Sequence, residues 1–576
     1  MRRRWRLAAA VPLLAVVCLA GAQPERAAVS DLPAPGVQRV SLPPQQFDGY
    51  AINRVFYDLL GSTGSAERDQ ALRAQIEAQA RPLSSGPFNQ PLTERAVAAI
   101  AAIDGLSGVG YSLYASERPG AVVLVISATL QADARGGPRG YLVDGAATHL
   151  PVLYESADAL LRIQLNVWGG FYNDHNPWFG GAPTYTAQSP IALAPPGPGW
   201  TTWGEGMIEF GLAGASRVLM PDLFVFGEAT GMTSAATGND LFRDDTRTET
   251  MWEKVYGGVL WAQAAEQRAL RLSVGRQNWQ LNNGFLFSRY AAGANAGPNP
   301  ALYLNPRTTY QMAVLAEARL GNFEAEFFDL DPAELKGLDS DTRFQGLRAA
   351  WLEPKGWDLG IAAYRVPESR TLLRNGDGSL VPRQGERTLN LRAGHRGFAD
   401  GFSALAEYAA QDSSEADISA RAWYAQLAYT AATLPWKPSL LYRYASFSGD
   451  KPGTATREAF DAPLSSGLDE WVQGVNFKKV VTNTNLNSHR VRLNAGPDER
   501  LNFTLDYYHL WADVPLPTGQ STYGNEVDLI VRWALSKQWF LLGVAGRAWP
   551  GDVIQAQTQG NARPWTTVQV SLFWGF

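Results

Sequence analysis

The sequence has a single cysteine, Cys18, among its 576 residues, so a disulfide bond within the chain is excluded. Beyond residue 22 it has no stretch of about 20 apolar residues, and a membrane protein built from helices is therefore not expected. It also lacks a basic excess, because 50 Lys and Arg stand against 55 Asp and Glu. The composition therefore gives no sign of a basic surface that could bind nucleic acid, and we expect no nucleic-acid partner.

The first 22 residues have the pattern of a secretory signal peptide. An apolar stretch from Leu7 to Ala20 leads to the small-residue cleavage site Ala20-Gly21-Ala22. The basic segment before it contains Arg2, Arg3, Arg4 and Arg6. Cys18 follows Val17 rather than the small residue that a lipoprotein signal requires. Removal of four arginines and no acidic residue takes the formal charge from −5 to −9, so we expect a mildly acidic secreted protein.

The end of the sequence predicts a membrane-spanning strand. Before Phe576, alternate residues are apolar (Trp574, Leu572, Val570 and Val568), and the chain holds 19 Trp, 21 Tyr and 24 Phe. A period of two with a terminal aromatic residue is typical of the closing strand of an outer-membrane β-barrel, with one face in lipid and one in the lumen. We expect contact with outer-membrane lipid and recognition of Phe576 by the barrel-assembly machinery. The edge strand of a soluble sandwich is the alternative.

A small α+β domain is predicted before the barrel, over residues 47–135, after a Pro-rich linker at 23–46. The pattern gives a strand, two amphipathic helices and two further strands. These predicted elements are Tyr50 to Leu59, Glu67 to Ala80, Leu92 to Ile103, Tyr111 to Ser116 and Val122 to Leu130. This order, with Gly86-Pro87-Phe88-Asn89 before the second helix, resembles a POTRA domain, which implies a periplasmic module that binds a protein partner by strand addition. A generic α+β plug or spacer is the alternative.

Alternating segments over residues 157–576 predict a transmembrane antiparallel barrel of about 18 strands. The strands are expected to begin near Leu160, Gly206, Leu223, Lys254, Leu270, Gln311, Phe323, Phe344, Trp357, Thr388, Phe402, Arg421, Lys437, His489, Leu501, Asn525, Trp539 and Thr566. Short polar turns alternate with long loops between them. Since short turns follow even-numbered strands, both ends of the barrel are expected in the periplasm, together with the N-terminal domain.

Strand parity assigns one face to lipid, as for Leu389, Leu391 and Ala393, and the other to the lumen, as for Arg392. A charge facing lipid at mid-membrane costs about 2 to 4 kcal/mol, so charged residues within strands are expected inside. The basic members are Arg162, Arg271, Arg319, Arg348, Arg392, Arg443, Arg490, Arg492, Arg532 and Arg547. The acidic members are Glu209, Glu228, Glu317, Glu324, Glu326, Glu407, Asp506 and Asp528. They predict a polar conduit rather than a closed apolar cavity. Mutual pairing without selection of any substrate is the alternative.

Several separated stretches of the barrel region resemble the alginate-export porin family. They are Val274-Gly275-Arg276-Gln277, Leu391 to Gln411, Lys437-Pro438 to Tyr444-Ala445-Ser446, Gly449-Asp450, Phe460-Asp461, Pro463-Leu464 and Tyr523-Gly524-Asn525-Glu526-Val527-Asp528. The resemblance implies an eighteen-stranded barrel that exports exopolysaccharide through an arginine-rich conduit. It would give Arg276, Arg392, Arg443, Arg490 and Arg492 the pore-lining role. Parity from Leu270 places Arg276 outward, so a bulge is required there.

Two features depart from that family, namely the POTRA-like region and the mixed charge of the lumen. A polypeptide secretion or assembly transporter of the two-partner-secretion type therefore remains an alternative, and a non-specific diffusion porin is another. The first of these carries an Arg-Gly-aromatic triplet in a loop folded into the pore. Here Arg139-Gly140-Tyr141 precedes the barrel and Arg396-Gly397-Phe398 lies in a predicted periplasmic turn, so neither is in the required place.

Motifs for catalysis are missing from the sequence. The five histidines have no metal-ligand spacing, and no Gly-x-Ser-x-Gly motif accompanies them. Asp174-His175 is an adjacent acid–histidine pair in a predicted loop. The acidic segment with Asp329, Asp331, Asp339 and Asp341 offers oxygen ligands that suit calcium, but without a regular ligand spacing. We therefore expect no enzyme activity and no cofactor, and a pore whose cargo is a polymer, possibly an anionic polysaccharide.

Overall fold

The computed structural model describes residues between 51 and 575. Its gaps are 62, 64–65, 86, 104, 116–120, 131–151, 156–158, 188, 190–191, 221, 264–267, 289–299, 302, 335–338, 354–355, 400, 432, 463, 465–471, 499 and 537–538. The predicted signal peptide and linker, the triplet Arg139-Gly140-Tyr141 and Phe576 lie outside the described residues.

The N-terminal unit, which extends to Gln131, is a three-stranded sheet with two helices. Its elements are β1 (Ala51–Gly61), α1 (Ala66–Ala80), α2 (Gln90–Ala101), β2 (Leu106–Ala115) and β3 (Ala121–Leu130). Strand β3 lies in the centre, parallel to β1 and antiparallel to β2. The Asn89 side chain accepts a hydrogen bond from the Leu92 N–H at 3.0 Å, which caps the start of α2. The identification of this unit as a POTRA domain stays a prediction.

The second unit is a closed antiparallel barrel of 18 strands, in which the last strand pairs with the first. The first half, with a short additional strand at its start, is β4 (Val152–Glu155), β5 (Ala159–His175), β6 (Trp200–Arg217), β7 (Leu223–Gly238), β8 (Arg247–Gln263), β9 (Arg268–Arg276), β10 (Met312–Leu320), β11 (Phe323–Asp331), β12 (Arg343–Leu352) and β13 (Trp357–Glu368). The second half is β16 (Glu386–Ala399), β17 (Phe402–Ser413), β18 (Ala420–Thr430), β19 (Ser439–Phe447), β20 (Leu486–Asp498), β21 (Leu501–Trp511), β22 (Thr522–Ala534), β23 (Trp539–Pro550) and β24 (Trp565–Gly575). The hairpin β14 (Leu372–Arg374) and β15 (Leu380–Pro382) and the short helices α3 (Ala182–Thr186) and α4 (Asp552–Gln557) lie in loops.

The predicted fold class and number of barrel strands are confirmed. Sixteen of the predicted strand starts lie within three residues of the observed ones. The exceptions are β6, which begins at Trp200 rather than Gly206, and β8, which begins at Arg247 rather than Lys254. The missed starts are residues 200–205 of β6 and 247–253 of β8. In these segments threonine side chains occupy exposed positions and a carboxylate faces inward, so the alternation of apolar residues that identifies a strand is absent.

Short turns lie at one end of the barrel and long loops at the other. The chain between β5 and β6, between β9 and β10 and between β19 and β20 forms the longest loops, residues 176–199, 277–311 and 448–485. In outer-membrane barrels the long loops face the cell exterior, which gives the orientation used below. In the described part of the chain no helix is long and apolar enough to cross a membrane.

Side chains alternate between the two faces of each strand. Leu272, Leu389 and Leu572 are among the exposed apolar residues of the outer wall, whereas Arg162, Glu209 and other charged neighbours are buried inside. The outer wall therefore presents the apolar surface that a lipid bilayer requires.

Candidate functional site in the barrel interior

Charged side chains surround the interior at the middle of the strands, and we call them the charged belt. The belt consists of Arg162, Glu209, Glu228, Lys254, Arg271, Glu317, Glu324, Glu326, Arg348, Asp358, Arg392, Glu407, Arg443, Arg490, Arg492, Asp506 and Arg532. Strand parity places all of them inward, so their charges face the same enclosed space. Most of the predicted lumen residues lie here, and their pore-lining role remains a prediction.

One part of the belt lies on β6 to β8. The Lys254 ammonium lies 3.2 Å from Glu228 and 3.6 Å from Glu209, so two carboxylates share one cation. The two carboxylates also accept hydrogen bonds from hydroxyl groups. Thr230 donates to Glu209 at 2.7 Å, and Tyr256 donates to Glu228 at 2.9 Å. Arg162 of β5 lies in the same row, because Arg162 and Glu228 are both opposite Ala213 of β6, so two cations accompany the two carboxylates here. The sequence prediction missed Lys254, which it placed only as a strand start.

Charges along β9 to β17 neutralise one another across neighbouring strands. Arg271 lies 3.0 Å from Glu317. Arg392 forms a fork with Asp358 at 3.0 and 3.1 Å and also donates to Glu407 at 3.1 Å. Such pairing satisfies the buried charges and leaves little net field.

The same region holds four further predicted residues, two arginines and two glutamates. Arg348 lies 3.3 Å from Glu324 and 4.0 Å from Glu326, and the half-exposed Arg319 lies 3.1 Å from Glu324. Asn282, a loop residue that sequence reasoning did not identify, accepts from Arg348 at 3.0 Å and donates to Glu407 at 3.3 Å.

The basic wall is formed by Arg443, Arg490, Arg492 and Arg532 on β19, β20 and β22. Arg443 and Arg490 are directly opposite in the register of β19 and β20. The fully buried Asp506 accepts a fork from Arg490, both bonds 3.1 Å, and a second from Arg492 at 2.9 and 2.8 Å. Arg443 acts on the same carboxylate electrostatically. With three guanidinium groups around one carboxylate, this wall has an excess of positive charge.

An apolar plug fills the loop end of the barrel interior. It comprises buried residues of three inward-folded loops: Trp178 and Phe179 of 176–199, Trp279, Phe285, Leu286 and Phe287 of 277–311, and Phe460, Leu464 and Phe477 of 448–485. Phe287, which is fully buried, packs against inward-facing Phe344 and Tyr364 with ring centroids 5.0 and 4.8 Å apart. Across the interior, Phe179 contacts Phe477 at 5.0 Å and Trp565 at 5.7 Å. The loops thus pack against the wall and against each other.

Wall carboxylates hold the plug loops through backbone N–H groups. Glu526 accepts from Asn476 at 2.6 Å and Phe477 at 2.9 Å, and Asp528 accepts from Val475 at 3.0 Å. On another part of the wall, Glu205 accepts from the N–H groups of Tyr303 and Leu304 at 2.9 and 2.8 Å. These charge-assisted bonds hold the loop backbone in place. They also give its buried N–H groups the acceptors that water would otherwise have to supply.

Two loop cations join the plug. Arg307 is 2% exposed and donates to the Pro300 carbonyl at 2.8 Å; burial lowers the pKa of its guanidinium to about 10, so it remains charged at neutral pH. The Lys479 ammonium lies 3.7 Å from Asp174, 4.8 Å from the Trp565 ring centre and 5.2 Å from that of Tyr303. The Lys479 ammonium therefore links its own loop to β5, to β24 and to the loop 277–311.

The structure corrects the prediction that a polar conduit runs along the whole height of the barrel. The belt is polar, but apolar loop residues occupy the end beside it. Loop aromatics follow no strand period, so sequence patterns could not place them inside. Asp528, predicted to line a passage, instead accepts from the plug backbone. Asp174, which we predicted to lie in a loop, belongs to β5, is fully buried and accepts from Trp565 at 2.9 Å.

Arg547 and Arg276 also differ from the other predicted arginines. Arg547 lies on the outer face of β23, exposed, 5.5 Å from the Trp549 ring centre, so its prediction as a lumen residue is wrong. Its neighbour Ala548 faces inward, and parity therefore turns Arg547 outward. Arg276 ends β9, half-buried, and donates to the Glu253 carbonyl at 3.0 Å. Arg276 is opposite the exposed Val255 in a regular β8–β9 register, and the irregularity of β8 lies in its pairing with β7, so the bulge predicted at Arg276 is not observed and its pore-lining role remains a prediction.

Several solved outer-membrane proteins have a similar fold. OccK5 (OpdH) of Pseudomonas aeruginosa is 10% identical, with a TM-score of 0.46, and the alignment covers 72% of this chain and 98% of that one. OpdK of the same organism, solved with vanillate, is 11% identical with a TM-score of 0.44, at 72% and 98% coverage. OccAB2 of Acinetobacter baumannii is 11% identical with a TM-score of 0.42, also at 72% and 98%. Comparison with curated proteins finds no match.

In the ranges that the structure describes, no group of three or more His, Cys, Asp or Glu side chains is arranged to hold a metal ion. Comparison with protein families matches residues 253–566, more than half of the chain, to the family described as alginate export. That match extends from β8 to β24 and includes the basic wall. Together with the closed barrel it points to a transport channel of the outer membrane, a pore or exporter, rather than to an enzyme. This chain belongs to the alginate export family.

Proposed function

We propose that the barrel exports an anionic polymer, an exopolysaccharide, along its basic wall. The observation that carries this proposal is the cluster of Arg443, Arg490 and Arg492 around the carboxylate of Asp506, which leaves an excess of guanidinium groups even when Asp528, opposite Asp506 in the register, is counted. A guanidinium group can donate two parallel hydrogen bonds to the carboxylate of an acidic sugar, in the same geometry in which it binds Asp506. A passing polymer can therefore exchange with Asp506 for hydrogen bonds on this wall.

Export requires the plug to move. Phe287 and Phe477 are fully buried at the loop end, so the structure represents a closed state of the proposed exporter. Carboxylates of the wall, Glu205, Glu526 and Asp528, accept hydrogen bonds from plug backbone, and loop aromatic residues such as Phe287 pack against the wall, so opening requires these loops to move as units.

The N-terminal unit is proposed to recruit a protein partner in the periplasm. Its sheet order leaves β1 and β2 as edge strands, each with one side free of a sheet partner among the described residues. An edge strand binds a partner segment by strand addition. We test this by crosslinking the full-length chain in cells, where deletion of 51–130 should abolish a specific crosslink and leave barrel conductance unchanged. Capture of unfolded polypeptide at these edges would instead support a secretion transporter.

Substitution Arg492→Ala tests the proposed role of the basic wall. Asp506 keeps its fork to Arg490, so the barrel is expected to fold. Block of single-channel current by a polyuronate should weaken about tenfold, the effect of losing one charge-assisted hydrogen bond of about 1.4 kcal/mol. Arg547→Ala removes the same charge from the outer face and should leave the block unchanged. Equal block by neutral dextran and polyuronate, unaffected by Arg492→Ala, would contradict the proposal.

A further inference from the structure

Three exposed arginines lie on the outer face of the barrel near the long-loop end. Arg365 of β13, Arg387 of β16 and Arg421 of β18 point away from the lumen, because their neighbours Tyr364, Thr388 and Ala422 are buried inside. We call these three residues the outer arginine patch. A charge on this face is costly in hydrocarbon, so the patch must lie where polar lipid headgroups begin.

The patch carries more positive charge than the protein around it compensates. Arg365 and Arg387 are directly opposite in the register of their strands, an arrangement that by itself is destabilising. Among the described residues, no carboxylate lies within ion-pair distance of Arg365, Arg387 or Arg421. Asp412, opposite Arg387 in the register, leaves the patch positive even when it is counted. By contrast, Arg343 on the same face forms a close pair with Asp329.

Aromatic residues fix the height of the patch relative to the membrane. Tyr408 and Trp423, exposed and opposite each other on β17 and β18, lie on the membrane side of the patch, with Trp423 two residues from Arg421. Trp and Tyr mark the interface of a bilayer. Below the arginines the outer face continues with exposed Ala363 and Leu389, which is an apolar strip suited to acyl chains.

The rest of the described outer rim differs from the patch in the side chains that form it. Across β7 and β8 it is formed by threonines that hydrogen-bond in pairs, as Thr233 does with Thr250 at 3.0 Å. On β20 to β22, His489, His509 and Asn525 occupy it. An excess of positive charge is therefore concentrated on one side of the barrel, with Arg547 of β23 as a separate single cation.

We propose that the outer arginine patch binds the phosphate groups of a phosphorylated glycolipid of the outer leaflet, lipopolysaccharide in chemical class. Arginine forks match phosphate oxygens, and a phosphate between Arg365 and Arg387 removes their repulsion. The apolar strip directly below accommodates the acyl chains, which a free phosphate lacks. This inference requires the outer-membrane location of the barrel but not the proposed cargo.

The test uses the full-length protein in phosphatidylcholine nanodiscs. The triple variant Arg365→Gln, Arg387→Gln, Arg421→Gln and the control Arg547→Gln are titrated with bisphosphorylated lipid A, with dephosphorylated lipid A and with inorganic phosphate. Wild type and control should bind the bisphosphorylated lipid at least about tenfold more tightly than the triple variant, since the variant loses three charge-assisted contacts with phosphate. The dephosphorylated lipid should not distinguish the proteins.

Equal binding of bisphosphorylated lipid A by wild type and triple variant overturns the proposal. Competition by millimolar inorganic phosphate overturns it as well, because the site would then be one for free anions. Polymer block of the channel serves as an independent readout. It should be the same in the triple variant and the wild type, so a failure of this inference is distinguishable from a failure of the proposed export function.

Discussion

Replacement of Glu526 by Gln together with Asp528 by Asn should open the barrel and raise its mean conductance several-fold. These carboxylates accept the N–H groups of Val475, Asn476 and Phe477, and the substitutions retain side-chain shape while removing the charge. Three charge-assisted bonds become neutral at a loss of about 1 kcal/mol each, so the ratio of closed to open loop should fall by about two orders of magnitude.

Planar bilayer recordings measure this effect as an increase in the open fraction of time. The matched control is Glu317→Gln, which removes a carboxylate of the charged belt that pairs with Arg271 rather than with loop backbone. It should change ion selectivity without changing the open fraction. An unchanged open fraction in the double variant would show that the apolar contacts of Phe477 and Phe287 hold the plug without help from the wall carboxylates.

Arg392→Ala should lower the free energy of unfolding by about 3 to 5 kcal/mol, the range for removing one partner of a buried ion pair. Asp358 and Glu407 are buried and both depend on this guanidinium, so its loss leaves two carboxylates without their cation. Urea unfolding of the barrel in lipid vesicles gives the value. Addition of Asp358→Asn and Glu407→Gln to the same variant should recover part of the loss.

The comparison variant for this prediction is Arg319→Ala. Arg319 forms a pair with Glu324 at 3.1 Å, but its side chain is 46% exposed, so the loss should be below about 1 kcal/mol. Similar losses for the two arginines would contradict the assignment of Arg392 to the structure of the barrel. The prediction also separates two parts of the belt, because Arg392 should affect stability and Arg492 the selection of polymer.

The sequence determined the barrel. Alternation of apolar and polar residues is a local property of each strand, and it predicted all 18 strands and the inward direction of residues such as Arg392 and Arg492. The same parity rule failed at Arg547 only because charge was taken as sufficient reason to face inward. The outer face can hold a guanidinium wherever the strand reaches the headgroup level.

The tertiary structure decided which inward charges face one another and what fills the space between them. Arg443, Arg490 and Asp506 come from three strands, and only the register between those strands brings them into one basic wall. Phe287 and Phe477 belong to loops without a period, whose positions are set by contacts with residues distant in sequence, such as Tyr364 and Glu526. Pairing register and loop packing depend on the closed barrel as a whole, because the atoms that fix them lie on other strands.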